Sequence, residues 1–398
     1  MGDREDLYWD PFDPEIDTDP YETWRRLRDE APLYWNDRFE FWALSRHEDV
    51  NAAHRDPRTF VSGRGTVLEL MGAELDQQAG MIIFMDPPRH ETMRALVSRA
   101  FTPRRVAALE ERIRDVCRHY LDPQVGGSGF DYLQDFGAQL PSRIISSLLG
   151  VSEADRPRVL ELIDTIFYIE PGVGMVNDVS LTAQFELMAY IQEELKDRRK
   201  SPRDDLLTAL VEAELAQDGG RARRLTDEEA GGFANLLVSA GTETVARLLG
   251  WTAVVLAANP DQRAELVSDP TLIPQAIEEL LRYEAPSPVQ GRMTSRDVEL
   301  HGQVVPGDSK VLLLTGSAGR DERVYPDPDR FDVHRAEQHV SFGCGPHFCL
   351  GAALARLEGR IAIEETLARF PQWEVDHDRA VRLHTSTVRG YKQVPIVL

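Results

Sequence analysis

Apolar residues recur at helical spacing along most of the chain. Between Pro103 and Tyr120 they form one stripe, made of Val106, Leu109, Ile113, Val116, Cys117 and Tyr120. Recurrence at intervals of three and four residues is typical of an amphipathic α-helix with one face in the core. The pattern therefore predicts a helix over 103–120 and a core position for Cys117.

A longer helical pattern begins at a capping box, in which Thr226 is followed three residues later by Glu229. The pattern continues to Ala258, where Asn259-Pro260 ends it. At ~1.5 Å per residue this helix spans about 50 Å. Such a length predicts a central helix that crosses a sizeable domain.

Strand patterns are fewer and lie near the two ends of the chain. Apolar runs predict strands at 33–35, 39–44, 310–314 and 393–398. The predicted fold class is therefore mainly α with a minor β region, arranged as one large domain.

The chain has 398 residues, with 45 Lys or Arg against 67 Asp or Glu, so its formal net charge is −22. A negative field of this size disfavours nonspecific binding of nucleic acid and of anionic membranes. The first ten residues predict no secretory signal, and no apolar run reaches the ~18 residues of a membrane span. Only three cysteines occur, so a disulfide framework is excluded and a cytoplasmic location is expected.

The strongest chemical signal is the glycine-rich segment Phe342-Gly343-Cys344-Gly345-Pro346-His347-Phe348-Cys349-Leu350-Gly351. Its glycines imply tight turns and a close approach to a flat or bulky group. A helical stripe follows, so Cys349 is expected at a helix N-terminus, where backbone N–H groups favour a thiolate. A buried free cysteine and a zinc site with Cys344 and His347 are the alternatives, although the cysteine spacing is wide for a zinc knuckle.

Together with the following Leu354-Ala355-Arg356, this segment resembles the haem-ligand signature of soluble bacterial cytochromes P450. The resemblance runs from Pro20-Tyr21 to Val388-Arg389-Gly390 and implies a single cytochrome P450 domain over 1–398, with a long central helix over a buried haem. It implies heme b (iron protoporphyrin IX) as cofactor and Cys349 as the axial ligand of its iron, with Phe342 near the sulfur. A thiolate ligand favours O–O cleavage.

The long helix contains Ala240-Gly241-Thr242-Glu243-Thr244, whose plain interpretation is a small-residue stretch against which another element packs. The stretch also resembles the oxygen-activation motif of the family. That resemblance implies that Gly241 leaves room for dioxygen, and that the acid Glu243 and the alcohol Thr244 relay protons towards it. Because both are present, an active oxygenase is favoured.

Glu279 and Arg282 are three residues apart on a helix predicted to begin near Pro274. An exposed pair of this kind stabilises a helix by only ~0.2–0.5 kcal/mol. The pair matches the Glu-x-x-Arg motif of the family, and Pro328-Asp329-Arg330-Phe331 resembles the segment that supplies a third member. The resemblance implies a structural role for Glu279, Arg282 and Arg330 in the core beside the haem.

Haem propionates are anions, so an acidic protein must concentrate donors around them. Asp86 followed by Pro87 predicts a capped helix start, with His90 and Arg94 one turn apart on one face. This pattern resembles the propionate-binding helix of the family, and two further donors are implied at Arg292 and His347. Any one of these residues taken alone is better explained as an ordinary surface cation, so the assignment depends on their occurring together in the order found in the family.

The resemblance also implies where a substrate binds, namely in the loop before the Asp86 helix, in the segment 166–176 and on the helix before Glu243. The candidate residues are mostly apolar, which suits a hydrophobic organic molecule, although several are expected to be plain core residues. They are Leu68, Met81, Ile82, Ile83, Phe167, Leu237, Ala240, Val289 and Gln290.

The sequence carries no flavin or nicotinamide fingerprint and no iron–sulfur cysteine cluster, so electrons are expected from a separate ferredoxin and ferredoxin reductase. A basic patch near the cysteine loop is the predicted docking site, made of Arg89, Arg99, Arg104 and Arg356. The hypothesis is a monomeric haem-thiolate monooxygenase without membrane insertion, which transfers one oxygen atom from O2 to a hydrophobic small molecule by hydroxylation, epoxidation or dealkylation. A peroxide-driven peroxygenase and a noncatalytic haem or hydrophobic-ligand binding protein are the alternatives.

Overall fold

The computed structural model describes residues 7–72, 80–166, 168, 170, 177–216 and 222–398, and helices predominate in it. The helices are α1 (Pro14–Thr18), α2 (Tyr21–Glu30), α3 (His47–Arg55), α4 (Arg89–Val97), α5 (Pro103–Ala107), α6 (Glu110–Leu121), α7 (Gln139–Leu149), α8 (Arg156–Ile166), α9 (Asp178–Lys200), α10 (Leu206–Glu212), α11 (Asp227–Ala258), α12 (Pro260–Ser268), α13 (Ile273–Tyr283), α14 (Thr315–Ala318) and α15 (Ala352–Arg369). Within these ranges, no helix is long and apolar enough to cross a membrane. The predicted fold class, mainly α with a minor β region, is confirmed.

Short strands form the minor β region. They are β1 (Leu33–Asn36), β2 (Phe41–Leu44), β3 (Phe60–Val61), β4 (Gly129–Asp131), β5 (Glu214–Ala216), β6 (Ala222–Arg224), β7 (Gln290–Thr294), β8 (Val298–Leu300), β9 (Gln303–Val305), β10 (Lys310–Leu313), β11 (Glu374–Val375), β12 (Val381–His384), β13 (Arg389–Gln393) and β14 (Pro395–Val397). The largest sheet in the described part of the chain has the order β1-β2-β10-β7-β3, with β2 and β10 parallel. The smaller sheets are β11-β14-β4, β12-β13, β5-β6 and β8-β9.

Three of the four predicted strands are confirmed, as β1, β2 and β10. The strand predicted over 393–398 is wrong as a single element, because β13 ends at Gln393 and β14 begins at Pro395. Between them, the N–H of Val394 donates to the carboxylate of Asp131, and its carbonyl accepts from the N–H of Tyr132. These contacts with the β4 region separate the two strands.

The central helix α11 begins at the predicted capping box. The Thr226 hydroxyl accepts from the N–H of Glu229 at 3.1 Å, and the Glu229 carboxylate accepts from the N–H of Thr226 at 3.0 Å. The helix runs for 32 residues and ends at Ala258, as predicted. It contacts α7, α9, α15 and β13 through the main hydrophobic core, so it positions the elements on either side of the candidate site.

The helix predicted over 103–120 is interrupted and forms α5 and α6. The N–H of Ala108 is shared between the carbonyls of Arg104 and Val106, a tightened turn that ends α5. Cys117 lies on the inner face of α6 and is fully buried, so its predicted core position is confirmed. The break has no local signal, because neither Ala108 nor Leu109 is a helix breaker.

A buried charge cluster joins α13 to the chain after α14. Glu279 and Arg282 are both buried and share two hydrogen bonds, of 2.6 and 2.8 Å. The prediction that Arg330 completes the cluster is wrong, because Arg335 places its Nε 3.1 Å from the Glu279 carboxylate. The Arg330 side chain is exposed, and its backbone carbonyl accepts from both Arg282 and Arg335.

The Asp86 side chain does not cap α4, so the predicted helix start is wrong. It binds the loop that follows β3 instead. Its carboxylate accepts from the N–H of Ser62 at 2.8 Å and of Gly63 at 2.9 Å. The N-cap position of α4 is held by Pro88. Because a proline has no N–H to donate, the carboxylate pairs with the free donors of the loop that follows β3.

Candidate active site

The glycine-rich loop packs against the last turn of α3. Gly343 and Gly345 adopt φ angles of +65° and +70°, which favour glycine. A Cβ on Gly345 would lie 2.6 Å from the carbonyl oxygen of His54. The N–H of Cys349 donates to the carbonyl of Phe342 at 2.9 Å and closes the loop just before α15. The predicted position of Cys349 at a helix N-terminus is therefore confirmed.

Opposing effects act on the Cys349 thiol. Burial raises its pKa, whereas hydrogen bonds from the backbone N–H groups of Gly351 and Ala352 and the charges of Arg94 and Arg356 lower it. Burial is the largest effect, so the pKa lies above its ordinary value, opposite to the direction predicted from the helix N-terminus. Residue Cys349 as a whole is nevertheless exposed.

A charged pair covers Phe342 on the same side of the loop. The Arg356 guanidinium carbon lies 4.7 Å from the centre of the Phe342 ring. Both carboxylate oxygens of Glu278 accept from Arg356 at 2.7 Å, and the Nε2 atom of His339 lies 3.3 Å from the same carboxylate. Arg356 is therefore held in place over the aromatic ring by Glu278.

Four donor side chains converge beside the loop from α4, β7 and the loop itself. The rings of His90 and His347 lie 4.1 Å apart. Arg292 is buried and Arg94 half-buried, and in the described ranges neither forms an ion pair with a carboxylate. Burial lowers the pKa of His90 to about 4, that of His347 to about 2 and that of Arg292 to about 10. The cluster thus combines two neutral imidazoles with two arginine cations.

This cluster has unused hydrogen-bonding capacity. Among the described residues, neither ring nitrogen of His90 has a hydrogen-bond partner, and the Nε2 atom of His347 has none. Buried polar atoms without partners are costly, so each is expected to meet a ligand or water. Imidazole N–H groups and guanidinium groups are suited to carboxylates, so the cluster fits a ligand that carries acidic groups.

On α11, Ala240 and Thr244 lie one turn apart on a face that the core leaves open. Ala240 is exposed and Thr244 is half-buried, although most neighbouring positions of the helix are buried. The Thr244 hydroxyl donates to the carbonyl of Ala240 at 2.9 Å. A reactive hydroxyl is thus held at this face by a single hydrogen bond.

Glu243 lies on a buried face of the same helix beside Arg247. The Nε atom of Arg247 is 3.0 Å from Oε2 of Glu243, but among the described residues neither atom has a hydrogen bond of good geometry. Burial raises the pKa of Glu243, and the charge of Arg247 opposes this rise. Arg247 was not predicted from the sequence, although its i,i+4 spacing from Glu243 is typical of an ion pair on one helix face.

Residues 33–394 match the family model described as Cytochrome P450. The chain belongs to the cytochrome P450 family. It is 41% identical over 399 residues to Putative cytochrome P450 123 of Mycobacterium tuberculosis, covering 100% of this chain and 98% of that protein. It is 38% identical over 380 residues to Erythromycin C-12 hydroxylase of Saccharopolyspora erythraea, covering 93% and 92%.

The fold is similar to that of a solved structure, cytochrome P450 CYP109Q5 from Chondromyces apiculatus. The similarity covers 98% of this chain and 97% of the CYP109Q5 chain, with a TM-score of 0.88 and 35% sequence identity. The family resemblance inferred from the sequence is therefore confirmed. Named hydroxylases among the relatives support the assignment of the chain as a P450 monooxygenase.

The predicted substrate residues of this P450 differ in burial. Leu68 and Val289 are buried in a second hydrophobic cluster, which also contains Trp9 and Trp24, whereas Ile82 is buried in the main core. Met81, Leu237 and Gln290 are half-buried, Ile83 and Ala240 are exposed, and Phe167 lies outside the described residues. Buried members such as Ile82 behave as core residues, as expected for several of them.

The four arginines of the predicted docking patch for an electron donor differ in exposure and in their contacts. Arg89 and Arg104 are exposed, and the side chain of Arg99 lies outside the described part of the chain. Arg356, however, is bound to Glu278. The charge of this arginine is therefore partly compensated within the chain.

Gly241 lies where α11 packs closely against α7, and its predicted place beside dioxygen stays a prediction. A Cβ on Gly241 would lie 2.9 Å from Cδ1 of Ile145 on α7. The exposed position is the preceding residue, Ala240. The structure therefore supports the plain interpretation, in which a small residue lets α7 pack closely.

Gly241→Ala is expected to lower the free energy of unfolding by up to ~2 kcal/mol, because overpacking against Ile145 costs ~1–3 kcal/mol and the better helix propensity of alanine returns only ~1 kcal/mol. Urea denaturation followed by circular dichroism measures the change. Ile145→Val removes the opposing Cδ1 atom, so the double variant should regain most of the loss. If Gly241→Ala left stability unchanged and instead slowed the reaction with dioxygen, the packing interpretation would be wrong.

Proposed function

We propose that this P450 is a haem-thiolate monooxygenase that inserts one oxygen atom from O2 into a hydrophobic small molecule. One observation carries the proposal: Cys349, just before α15, lies in the same loop as His347, whose Nε2 atom has no hydrogen-bond partner among the described residues, as is also true of both ring nitrogens of His90. Arg94 joins them by donating to the carbonyl of Phe348, the residue before Cys349, at 2.6 Å. A thiolate ligand and a set of carboxylate-binding donors are what heme b requires from a protein. The family assignment supports the same cofactor.

In this assignment each residue of the loop and the cluster has a role. Cys349 would supply the thiolate ligand of the iron, Phe342 would lie near that sulfur, and the propionates would be held by His90, Arg94, Arg292 and His347. Bound haem supplies the redox-active iron, and its thiolate ligand favours O–O cleavage. The backbone N–H groups of Gly351 and Ala352 would stabilise the thiolate, because they lower the pKa of Cys349 against the effect of burial.

Glu243 and Thr244 are the proposed proton donors. Burial raises the pKa of Glu243, so its Oε2 atom holds a proton more readily than an exposed carboxylate does. Arg247 opposes this effect and orients the carboxylate. Thr244 can release its hydrogen bond to the Ala240 carbonyl and pass a proton to the open face of α11.

Thr244→Ala is expected to separate electron consumption from product formation, because the hydroxyl that passes the proton is removed. Product should fall at least about tenfold, since a positioned proton donor contributes ~10²–10⁴-fold, while hydrogen peroxide release per reductant consumed should rise. Thr244→Ser retains the hydroxyl and is the matched control. A noncatalytic binder would release no more peroxide in the alanine variant than in the parent protein.

The proposed substrate is a bulky hydrophobic molecule, and hydroxylation is the proposed reaction. Mostly apolar candidate residues and the similarity to Erythromycin C-12 hydroxylase support this choice. We further propose a ferredoxin and its reductase as electron donors, with exposed Arg89 and Arg104 at the docking face. The intact pair of Glu243 and Thr244 favours O2 over peroxide as the oxidant.

Two optical measurements test the proposal on the purified protein. The reduced carbon monoxide complex should show the red-shifted Soret band of a thiolate-ligated haem, and a substrate screen should begin with macrolides and follow the Soret shift. Absence of haem, or a carbon monoxide band without the red shift, would contradict the proposal. Turnover with hydrogen peroxide but not with redox partners would favour a peroxygenase instead.

We also propose that the chain is a single domain over 1–398 and a monomer in a reducing, cytoplasmic compartment. Cys117, Cys344 and Cys349 are all free, which supports the compartment. Size-exclusion chromatography with light scattering tests the monomer.

A further inference from the structure

A fifth polar side chain, that of His54 on α3, lies against the glycine-rich loop at Gly343. The residue is only 5% exposed. Both of its ring nitrogens are buried, and among the described residues neither has a hydrogen-bond partner. Because an unpartnered imidazole is costly to bury, this position requires an explanation.

The surroundings of His54 connect it with the anion-binding cluster. Its ring atoms Cε1 and Nδ1 would lie 3.7 and 3.8 Å from a Cβ on Gly343, so the ring touches the loop. The charge of Arg292 contributes to lowering the pKa of His54, and the proximity of His54 contributes to lowering the pKa of His347. Burial lowers the pKa of His54 to about 3, so the ring is neutral and keeps one N–H to donate.

We propose that His54 is a further carboxylate-binding residue of this P450, which donates its ring N–H to a propionate of haem. This inference rests on the proposed function, since it requires haem at the site. A neutral imidazole beside the Arg292 cation adds a donor without adding charge repulsion. The sequence analysis did not identify His54, and the only signal for it was a histidine on the buried face of α3 beside Val50 and Ala53.

The test compares haem loss from proteins that carry His54, H54L or H54Q. Each full-length protein is loaded with haemin or with haemin dimethyl ester, which lacks the propionate charges, and transfer to excess apomyoglobin is followed by absorbance. With haemin, H54L is expected to lose the cofactor about tenfold faster, as for one lost hydrogen bond to a charged group. H54Q retains an N–H donor and should stay closer to the parent protein. With the ester, all three rates should be equal.

The matched control is H47L, a substitution of the same kind at the half-buried first residue of α3, which packs beside Tyr325. Its haemin loss should equal that of the parent protein. Equal haemin loss from H54L and the parent would overturn the inference. Equal acceleration with haemin and ester, or similar acceleration in H47L, would also overturn it by assigning the effect to packing of α3.

The same samples separate this inference from the proposed function. If haemin binds without giving the red-shifted carbon monoxide band, the thiolate assignment fails, whereas the comparison of haemin with its ester still decides the role of His54. If the band is present and H54L retains haemin like the parent protein, the proposed function stands and the role of His54 is refuted.

Discussion

Cys349→Ser is expected to abolish the red-shifted carbon monoxide band and monooxygenase activity while leaving the fold intact. A hydroxyl is a much weaker ligand for iron than a thiolate, and only the thiolate supplies the electron density that favours O–O cleavage. We expect turnover to fall by more than about 100-fold, the upper end of what changes in outer-shell partners cost. Difference spectra and product analysis on the same preparation measure both effects.

Cys344→Ser is the matched control for this experiment. Cys344 lies five residues earlier in the same loop, is half-buried, and donates from Sγ to the side-chain oxygen of Asn51 at 3.0 Å. A serine hydroxyl can make the same contact, so the band and the activity should remain. If Cys344→Ser lost the band and Cys349→Ser kept it, the ligand assignment would have to be reversed.

Arg335→Leu is expected to be strongly destabilising, although sequence analysis placed Arg330 in the cluster around Glu279. Besides its ion pair with Glu279, Arg335 donates to the carbonyls of Pro326, Asp327 and Arg330 at 2.8, 3.0 and 3.2 Å. Removing one partner from a buried ion pair costs about 3–5 kcal/mol when the remaining charge is left unpaired. Glu279 keeps its two hydrogen bonds from Arg282, so a loss of about 3 kcal/mol, the lower end of this range, is expected. Unfolding of the holoprotein by urea measures the difference.

Arg330→Leu is the control, since this arginine is exposed and its backbone carbonyl is unaffected by the substitution. Its free energy of unfolding should change by no more than about 0.5 kcal/mol. Equal losses in the two variants would refute the assignment of Arg335 as the third member. Combining Arg335→Leu with Glu279→Gln should cost less than the sum of the single effects, because the two residues share one interaction.

Local features of this protein were predictable because their determinants are neighbours in the chain. The capping box of Thr226 and Glu229, the end of α11 at Ala258 and the position of Cys349 before α15 all depend on residues within one or two helical turns. The cysteine loop was also recognisable as a motif, since its glycines and cysteine occur in one short segment. The family assignment followed from this segment, and the comparison confirmed it.

The sequence was less informative about which way a side chain faces in the folded protein. The sequence could not distinguish Arg330 from Arg335, since both follow α13 through the same irregular segment and only the path of the backbone turns one inward. Nor could it tell that Gly241 faces Ile145 of α7 while Ala240 faces the open side. Both cases concern which partner lies opposite a residue, and that partner is far away in the chain.

The sequence by itself therefore determined the family, the central helix α11 with its cap, and the candidate ligand Cys349. Only the tertiary structure decided which side chains meet, as with the carboxylate of Asp86 on the Ser62 loop and with His54 beside Gly343. It also decided the direction of the pKa shift of Cys349, where burial exceeds the effect of the helix N-terminus. The physical reason is the same in each case: hydrogen bonds along the chain are local, whereas burial and charge interactions sum over every element packed around a group.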